Sequence, residues 1–225
     1  MILLILLILL IIVLFLSFPK AEKEKEKEND IKTRVKEVLY KNKWKVHGND
    51  ETKIYTLDNF LTNDMCDKII EESKDSLSAS TVTRFSEGFR TSKTSFKVDD
   101  SVDKYLEQYF NIQNTMSEKT QIQYYDIGNE FKPHHDWFDK IDESFIGKQG
   151  QRTWTIMVYL NNTEEGGTTD FTHLGLSFKP KKGSAVVWYN LKEDKSGNID
   201  TMHTGRPVIK GEKWIITKWI RSNTK

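Results

Sequence analysis

Two imidazoles and one carboxylate carry most of the chemistry this chain can do. His134 and Asp136 stand two apart in His134-His135-Asp136, at the end of a strand-like run. His203 follows in Thr201-Met202-His203-Thr204-Gly205-Arg206-Pro207-Val208, and ten residues later comes Lys213 in Gly211-Glu212-Lys213-Trp214. Two histidines and a carboxylate on one face of a metal are the donor set of a non-haem Fe(II) oxygenase site, which keeps its other positions open. The lysine downstream is a fixed cation for an acidic co-substrate. In a strand, residues i and i+2 share a face. His134 and Asp136 therefore point together, and His135 points away. Sixty-six residues intervene between Asp136 and His203, which must arrive on another strand. A lone His-x-Asp pair, or a lone histidine, is more often structural; the array taken together carries the reading.

These residues need a scaffold, and composition bounds it. The chain has 225 residues, with 34 Lys+Arg against 33 Asp+Glu. A balance so close to neutral argues against nucleic-acid binding through a basic surface. Hydrophobic residues at 37 % and aromatics at 12 % suffice for one real core. The single cysteine, Cys66, excludes an internal disulfide and a cysteine-based zinc cluster. Residues 1–18, MILLILLILLIIVLFLSF, are apolar except Ser17 and reach the minimum of roughly 18 residues for a membrane span. No basic residue precedes the run, and the apolar core is longer than that of a cleaved signal peptide. The expectation is one uncleaved transmembrane anchor over 1–18. Residues 19–50 then form a charged spacer, alternating in sign over KAEKEKEKENDIKTRVK, and residues 51–225 form the catalytic domain.

Within that domain, Thr62 is a good N-cap for a helix through residue 72, with Asp64 in its positive first turn and Met65, Cys66, Ile69 and Ile70 as its apolar stripe. Val102, Tyr105, Leu106, Tyr109 and Phe110 predict a second helix over 101–110. Cys66 is then a core residue. Strands are predicted at 120–126, 132–138, 153–160, 169–172, 184–189 and 213–220, broken by glycines. Helices followed by many short strands give an α+β class, with an antiparallel sandwich or jelly roll (a double-stranded β-helix) behind N-terminal support helices. Lys213, Ile215, Thr217 and Trp219 alternate onto one face of the last strand, so Lys213 and Trp219 line one cavity.

Five ordered blocks resemble the prolyl 4-hydroxylases of the Fe(II)/2-oxoglutarate dioxygenase superfamily. Tyr125-Asp126-Ile127-Gly128-Asn129-Glu130-Phe131-Lys132-Pro133-His134-His135-Asp136 resembles their Tyr-x-x-Gly-x-x-aromatic-x-Pro-His-x-Asp segment. Arg152-Thr153-Trp154-Thr155 with Tyr159-Leu160-Asn161, and Glu165-Gly166-Gly167-Thr168-Thr169-Asp170-Phe171, resemble their next strand and turn. The His203 and Gly-x-Lys-Trp segments resemble the distal ones, and Arg90-Thr91-Ser92 resembles the Arg-Thr-Ser of the mobile substrate loop. The likeness spans residues 54–221.

That resemblance implies roles. His134, Asp136 and His203 would hold Fe(II). Lys213 would pair with the distal carboxylate of 2-oxoglutarate, with Thr169 and Tyr125 as hydroxyl partners and Trp219 as an apolar wall. Arg90, Ser92, Phe131 and Arg152 would meet the substrate, Arg152 by donating to a peptide carbonyl. Phe131 stands where many relatives have Tyr, so one substrate hydrogen bond is lost. The implied activity consumes O2 and 2-oxoglutarate, releases succinate and CO2 and converts peptidyl proline to 4-hydroxyproline, with L-ascorbate rescuing uncoupled turnovers. Two alternatives use the same groove: a hydroxylase for another residue or a small molecule, and a non-catalytic module that holds proline-rich chains.

The resemblance to secretory-pathway enzymes favours a lumenal catalytic domain. Lys20, Lys23, Lys25 and Lys27 just after the apolar run, and the lack of disulfides, pull toward the cytosol. Asn161-Asn162-Thr163 fits the glycosylation pattern but falls at a strand end. The sequence specifies neither the hydroxylated protein nor an oligomeric state.

Overall fold

Every second residue from Trp154 to Leu160 is apolar and large, and the residues between are Thr, Met and Tyr, so both faces of this strand need cover. A computed structural model supplies that cover; it describes residues 31–80, 88–112, 116–139 and 146–222. Among the described residues the strands are β1 (Lys45–Gly48), β2 (Lys53–Leu57), β3 (Ser78–Ala79), β4 (Lys93–Ser95), β5 (Gln121–Tyr125), β6 (Phe131–His134) and β7 (Arg152–Tyr159). They continue as β8 (Glu165–Gly166), β9 (Thr169–Phe171), β10 (Leu176–Phe178), β11 (Ala185–Tyr189), β12 (His203–Gly205), β13 (Val208–Lys210) and β14 (Lys213–Arg221). The helices are α1 (31–41), α2 (Asn63–Ser73) and α3 (Asp100–Phe110).

The strands form an eight-stranded sheet in the order β1-β2-β11-β7-β14-β5-β4-β3, a four-stranded sheet in the order β10-β9-β12-β6, and the pair β13-β8. Neighbouring strands pair antiparallel in all three. Antiparallel sheets with helices on one side match the expected α+β, jelly-roll type of architecture.

Alternation sorts the large sheet into two faces. Trp154, Ile156, Val158, Ala185, Val187, Trp214 and Ile216 face the helices and join Val102, Leu106 and Phe110 of α3 in one core. Met157, Tyr159, Val186, Trp188 and Ile215 face the small sheet and meet Phe171 there. The metal-site residues hang in this second layer. Each helix is anchored locally. Thr62 caps α2, its Oγ1 accepting from the Met65 N–H at 3.2 Å, and Cys66 is buried beneath it. Burial raises the Cys66 thiol to about 11, so it stays an inert thiol at neutral pH. Asp99 caps α3, and Asn111 ends it in the left-handed conformation.

Two expectations need correction. The folded region does not begin near residue 51. Ile31, Val35 and Leu39 recur every four residues along α1 and are buried at 1 %, 0 % and 0 % exposure. Trp44 packs on Phe60 and Phe110. A four-residue stripe hidden at the end of an alternating Lys/Glu run reads as solvated spacer until its partner surface is known. The predicted strand 132–138 also ends early, at His134. The chain bends at Asp136 and Trp137, where the His135 ring stacks on Trp137 at 3.7 Å and its Nδ1 bonds the Trp137 carbonyl at 2.9 Å. The 1–18 segment expected to span a membrane lies outside the described residues. Among the described residues, no helix is long and apolar enough to cross one.

Candidate active site

Register brings the two histidines together. β12 pairs with β6 so that His203 stands directly opposite His134, and their rings lie 4.2 Å apart. Asp136 follows on the bend. One ligand atom from each of the three residues lies within 4.8 Å of the others. Backbone carbonyls fix how the imidazoles present themselves. His134 Nδ1 bonds Lys132 O at 2.8 Å, and His203 Nδ1 bonds Thr201 O at 2.9 Å. Each Nδ1 therefore carries the proton, and each Nε2 keeps its lone pair for a metal. Burial, and then the His203 imidazole, hold His134 well below the usual histidine pKa, so the ring is neutral. Burial pushes the Asp136 carboxyl up, but His203, His134, Arg152 and the Thr155 hydroxyl outweigh it, and the net shift is downward. Two neutral imidazoles and a carboxylate, buried and convergent, fit a divalent iron.

The co-substrate side lies on β14 and β9. Lys213 is 1 % exposed and has no ion-pair partner among the described residues. Its Nζ reaches Thr169 Oγ1 at 3.5 Å and lies 5.2 Å from the Tyr125 ring centre and 5.7 Å from the Tyr159 ring centre. Burial lowers its pKa to about 7, against a small upward pull from Asp170. A buried amine with no counter-charge is costly unless an anion arrives. Thr169 reaches this spot because Gly166 and Gly167 take φ of +75° and +65°; a Cβ on Gly166 would meet Pro207 O at 2.4 Å. Tyr125 contributes its ring, not its hydroxyl, which donates to Gln123 Oε1 at 3.2 Å. Trp219 lines the same cavity as Lys213, as alternation predicted. His134, Asp136, His203, Thr169, Tyr125 and Phe131 line it too.

The expected substrate residues are split between mouth and support. Phe131 stacks on His134 at 3.5 Å, and the Arg90 guanidinium lies 4.9 Å from the centre of the Phe131 ring. Ser92 was expected on a loop but is 2 % exposed. Its hydroxyl meets Ser80 Oγ at 2.8 Å and takes a bond from Arg90 Nε at 2.9 Å. Arg152 is already engaged: it grips Glu118 through Nε at 2.6 Å and Nη2 at 2.8 Å, and lies 3.7 Å over the Trp219 ring. Its Nη1 reaches only the Asp136 carbonyl, at 3.5 Å.

Sequence reasoning missed Thr155, Met157 and Trp188, which also line the cavity, while Ile215 and Thr217 stand there on the face that alternation gave them. Thr155 had a signal: a hydroxyl on the face opposite Trp154 in an otherwise apolar strand. Among the described residues, His135, His173 and His47 are not part of the clustered donors. The glycosylation pattern is structural in its contacts. Asn161 Nδ2 donates to Glu212 O at 2.8 Å and Asn161 Oδ1 accepts from Trp214 N at 2.8 Å.

A cup of this kind beside a waiting cation defines an oxygenase that takes iron and a 2-oxo acid. Comparison with known proteins narrows the class. The 2OG-Fe(II) oxygenase superfamily model matches residues 120–221, which hold all three metal donors and Lys213. The chain is 32 % identical over 200 residues to the probable prolyl 4-hydroxylase 8 of Arabidopsis thaliana, across 75 % of this chain and 68 % of the relative. It is 30 % identical over 232 residues to the probable prolyl 4-hydroxylase 10 of that plant, across 86 % and 80 %. The viral collagen prolyl hydroxylase of Paramecium Bursaria Chlorella virus-1, solved with 2OG, superposes at a TM-score of 0.60 and 28 % identity, over 75 % of this chain and 95 % of that one. A Trichoplax adhaerens prolyl hydroxylase with a hypoxia inducible factor peptide shares the fold, at a TM-score of 0.59 and 14 % identity. The chain belongs to the prolyl 4-hydroxylase family of 2-oxoglutarate- and Fe(II)-dependent oxygenases.

Proposed function

We propose that this enzyme hydroxylates carbon 4 of peptidyl proline, with 2-oxoglutarate and O2 as co-substrates and L-ascorbate restoring the iron after uncoupled turnovers. The observation that carries the reading is the buried Lys213 amine, without an ion-pair partner among the described residues, in the same cavity as the His134, Asp136 and His203 donors. Bound iron and 2-oxoglutarate would supply the oxidative decarboxylation that drives oxygen insertion. The protein's own part is placement. His134 and His203 offer Nε2, Asp136 offers one carboxylate oxygen, and Lys213 with Thr169 takes the far carboxylate of the co-substrate. Trp219, Met157 and Ile215 exclude water from that end. Phe131 offers an apolar ring at the mouth for a prolyl ring to lie against. Arg90, beside the Phe131 ring, is the donor nearest the mouth for a peptide, while Arg152 is held by Glu118 and supports the wall behind Asp136.

The same proposal places residues 1–18 in a membrane as a single anchor, with the catalytic domain in the lumen of a secretory compartment. Its support is the length of the apolar run and the likeness to prolyl 4-hydroxylases.

The test is succinate release from residues 31–225 with Fe(II), ascorbate and 2-oxoglutarate, with and without proline-rich peptides, and mass spectrometry of the peptides. The expected result is peptide-stimulated turnover with one oxygen added to proline, abolished by His134→Ala. Turnover with no peptide oxidised would overturn the substrate. Full turnover in His134→Ala would overturn the iron site.

A further inference from the structure

Behind Asp136 lies a short chain of buried hydrogen bonds that nothing above requires. Asp136 Oδ1 faces His134 Nε2 at 4.0 Å. Its other oxygen, Oδ2, accepts from the Thr155 hydroxyl at 2.7 Å. Thr155 has one hydroxyl proton, and the carboxylate takes it. The same Thr155 oxygen then accepts from Asn190 Nδ2 at 2.9 Å. Thr155 and Asn190 are both 0 % exposed. Asn190 is itself pinned by its backbone. Its N–H donates to Thr153 O at 2.7 Å and its carbonyl accepts from the Asn198 N–H at 2.9 Å.

The direction of this chain is forced. Asn190 Oδ1 is buried with no hydrogen-bond partner among the described residues. Flipping the amide would bring that oxygen to Thr155, whose proton is already committed, and would set two acceptors face to face. The asparagine therefore keeps an unsatisfied oxygen so that its amide can point at the threonine. A buried polar group left unpaired is a standing penalty, and one that is tolerated here points to a role for the bond on its other side.

We propose that Asn190 and Thr155 are positioning residues that hold Asp136 as a one-oxygen ligand. With Oδ2 capped, the carboxylate presents Oδ1 alone to the metal, and the position that a second oxygen would occupy stays open for co-substrate or O2. This rests on the iron reading given above. Neither residue is one of the three metal donors.

Metal binding by the full chain tests it, with Co(II) as the probe. The measurements are affinity by titration calorimetry and the visible ligand-field spectrum with 2-oxoglutarate added, which reports coordination number without turnover. Thr155→Val keeps the shape and removes the hydroxyl; Thr155→Ser keeps the hydroxyl. Asn190→Ala removes the amide and serves if the valine variant fails to fold. The expectation is Co(II) binding weakened about 10- to 100-fold in Thr155→Val and Asn190→Ala, the usual range for partners of metal ligands. Their spectra shift, and Thr155→Ser stays close to wild type. Folded Thr155→Val or Asn190→Ala with wild-type affinity and spectrum overturns the relay while leaving the iron site standing. So does an equal loss in Thr155→Ser, which would make the effect one of packing. A wild-type chain that binds no Co(II) overturns the iron reading and the relay with it.

Discussion

Raising the pH from 7 to 9 should strip this enzyme of its affinity for 2-oxoglutarate while its metal site stays intact. The cause is Lys213. Burial places its pKa at about 7 in the ligand-free protein, where an ordinary lysine stands at 10.5. A bound carboxylate supplies the missing counter-charge and lifts the amine back toward its ordinary range. Below pH 7 the amine is charged with or without ligand, and affinity is flat. Above pH 7 each bound ligand must draw one proton onto the amine, so affinity falls about tenfold per pH unit. From pH 7 to pH 9 that is about a hundredfold, or about 2.7 kcal/mol. Calorimetry on the Co(II)-loaded enzyme at pH 8.5, in two buffers of different ionisation heat, should give an uptake close to one proton. Lys213→Met should remove both the slope and most of the binding. It should also stabilise the empty protein at pH 7. The sign follows from the depressed folded-state pKa: between about 7 and 10.5 the unfolded chain holds the extra proton, so wild-type stability rises with pH across that window, and below about 7 the penalty is full and constant. The full penalty is on the order of 5 kcal/mol. Flat affinity from pH 7 to 9 with no proton uptake would refute the reasoning.

Three further outcomes follow from contacts already described. Leu39→Ala should cost about 2–5 kcal/mol, as for a buried leucine in a core, and a chain starting at residue 51 should fail to unfold cooperatively; chemical denaturation followed by fluorescence measures both. Glu118→Gln leaves Arg152 and Arg221 competing for one neutral oxygen. It should destabilise by about 3–5 kcal/mol, read by thermal unfolding, with the loss absent at Lys68, whose pairs are exposed. Phe131→Tyr should leave the 2-oxoglutarate KM within about twofold and lower the peptide KM, because the ring position is kept and only a hydroxyl at the mouth is added.

Much of the site was legible because its chemistry lies close in sequence or repeats at a simple period. His134 and Asp136 are two residues apart, and Lys213 and Trp219 share a face by alternation. Thr169 came from the resemblance of the Glu165–Phe171 segment to a known turn. What stayed hidden depends on partners distant in the chain. Ser92 looks like a loop hydroxyl until Ser80 and Arg90 close over it. Arg152 looks like a free donor until Glu118, 34 residues earlier, takes its guanidinium. The Asn190 contact crosses from one strand's end to another's face, and no spacing rule reports it. α1 was misread for a related reason: its buried stripe is only Ile31, Val35 and Leu39, set among lysines and glutamates that solvent keeps on the other face. The strands β8, β10, β12 and β13 have two or three residues each, too few to show a period.

The ring stack of His134, Phe131 and Arg90 links two events that a flat list of contacts would keep apart. One face of Phe131 belongs to a metal ligand, and the ring also carries a guanidinium from the segment that leads into the peptide groove. On the proposed reading, a peptide that moved Arg90 would act on the imidazole through one shared aromatic plane. Linkage runs in both directions and by the same factor. If peptide tightens the hold on iron, iron tightens the hold on peptide. The enzyme then assembles its reactants as a set, and an unfilled groove leaves the oxidising centre less tightly held.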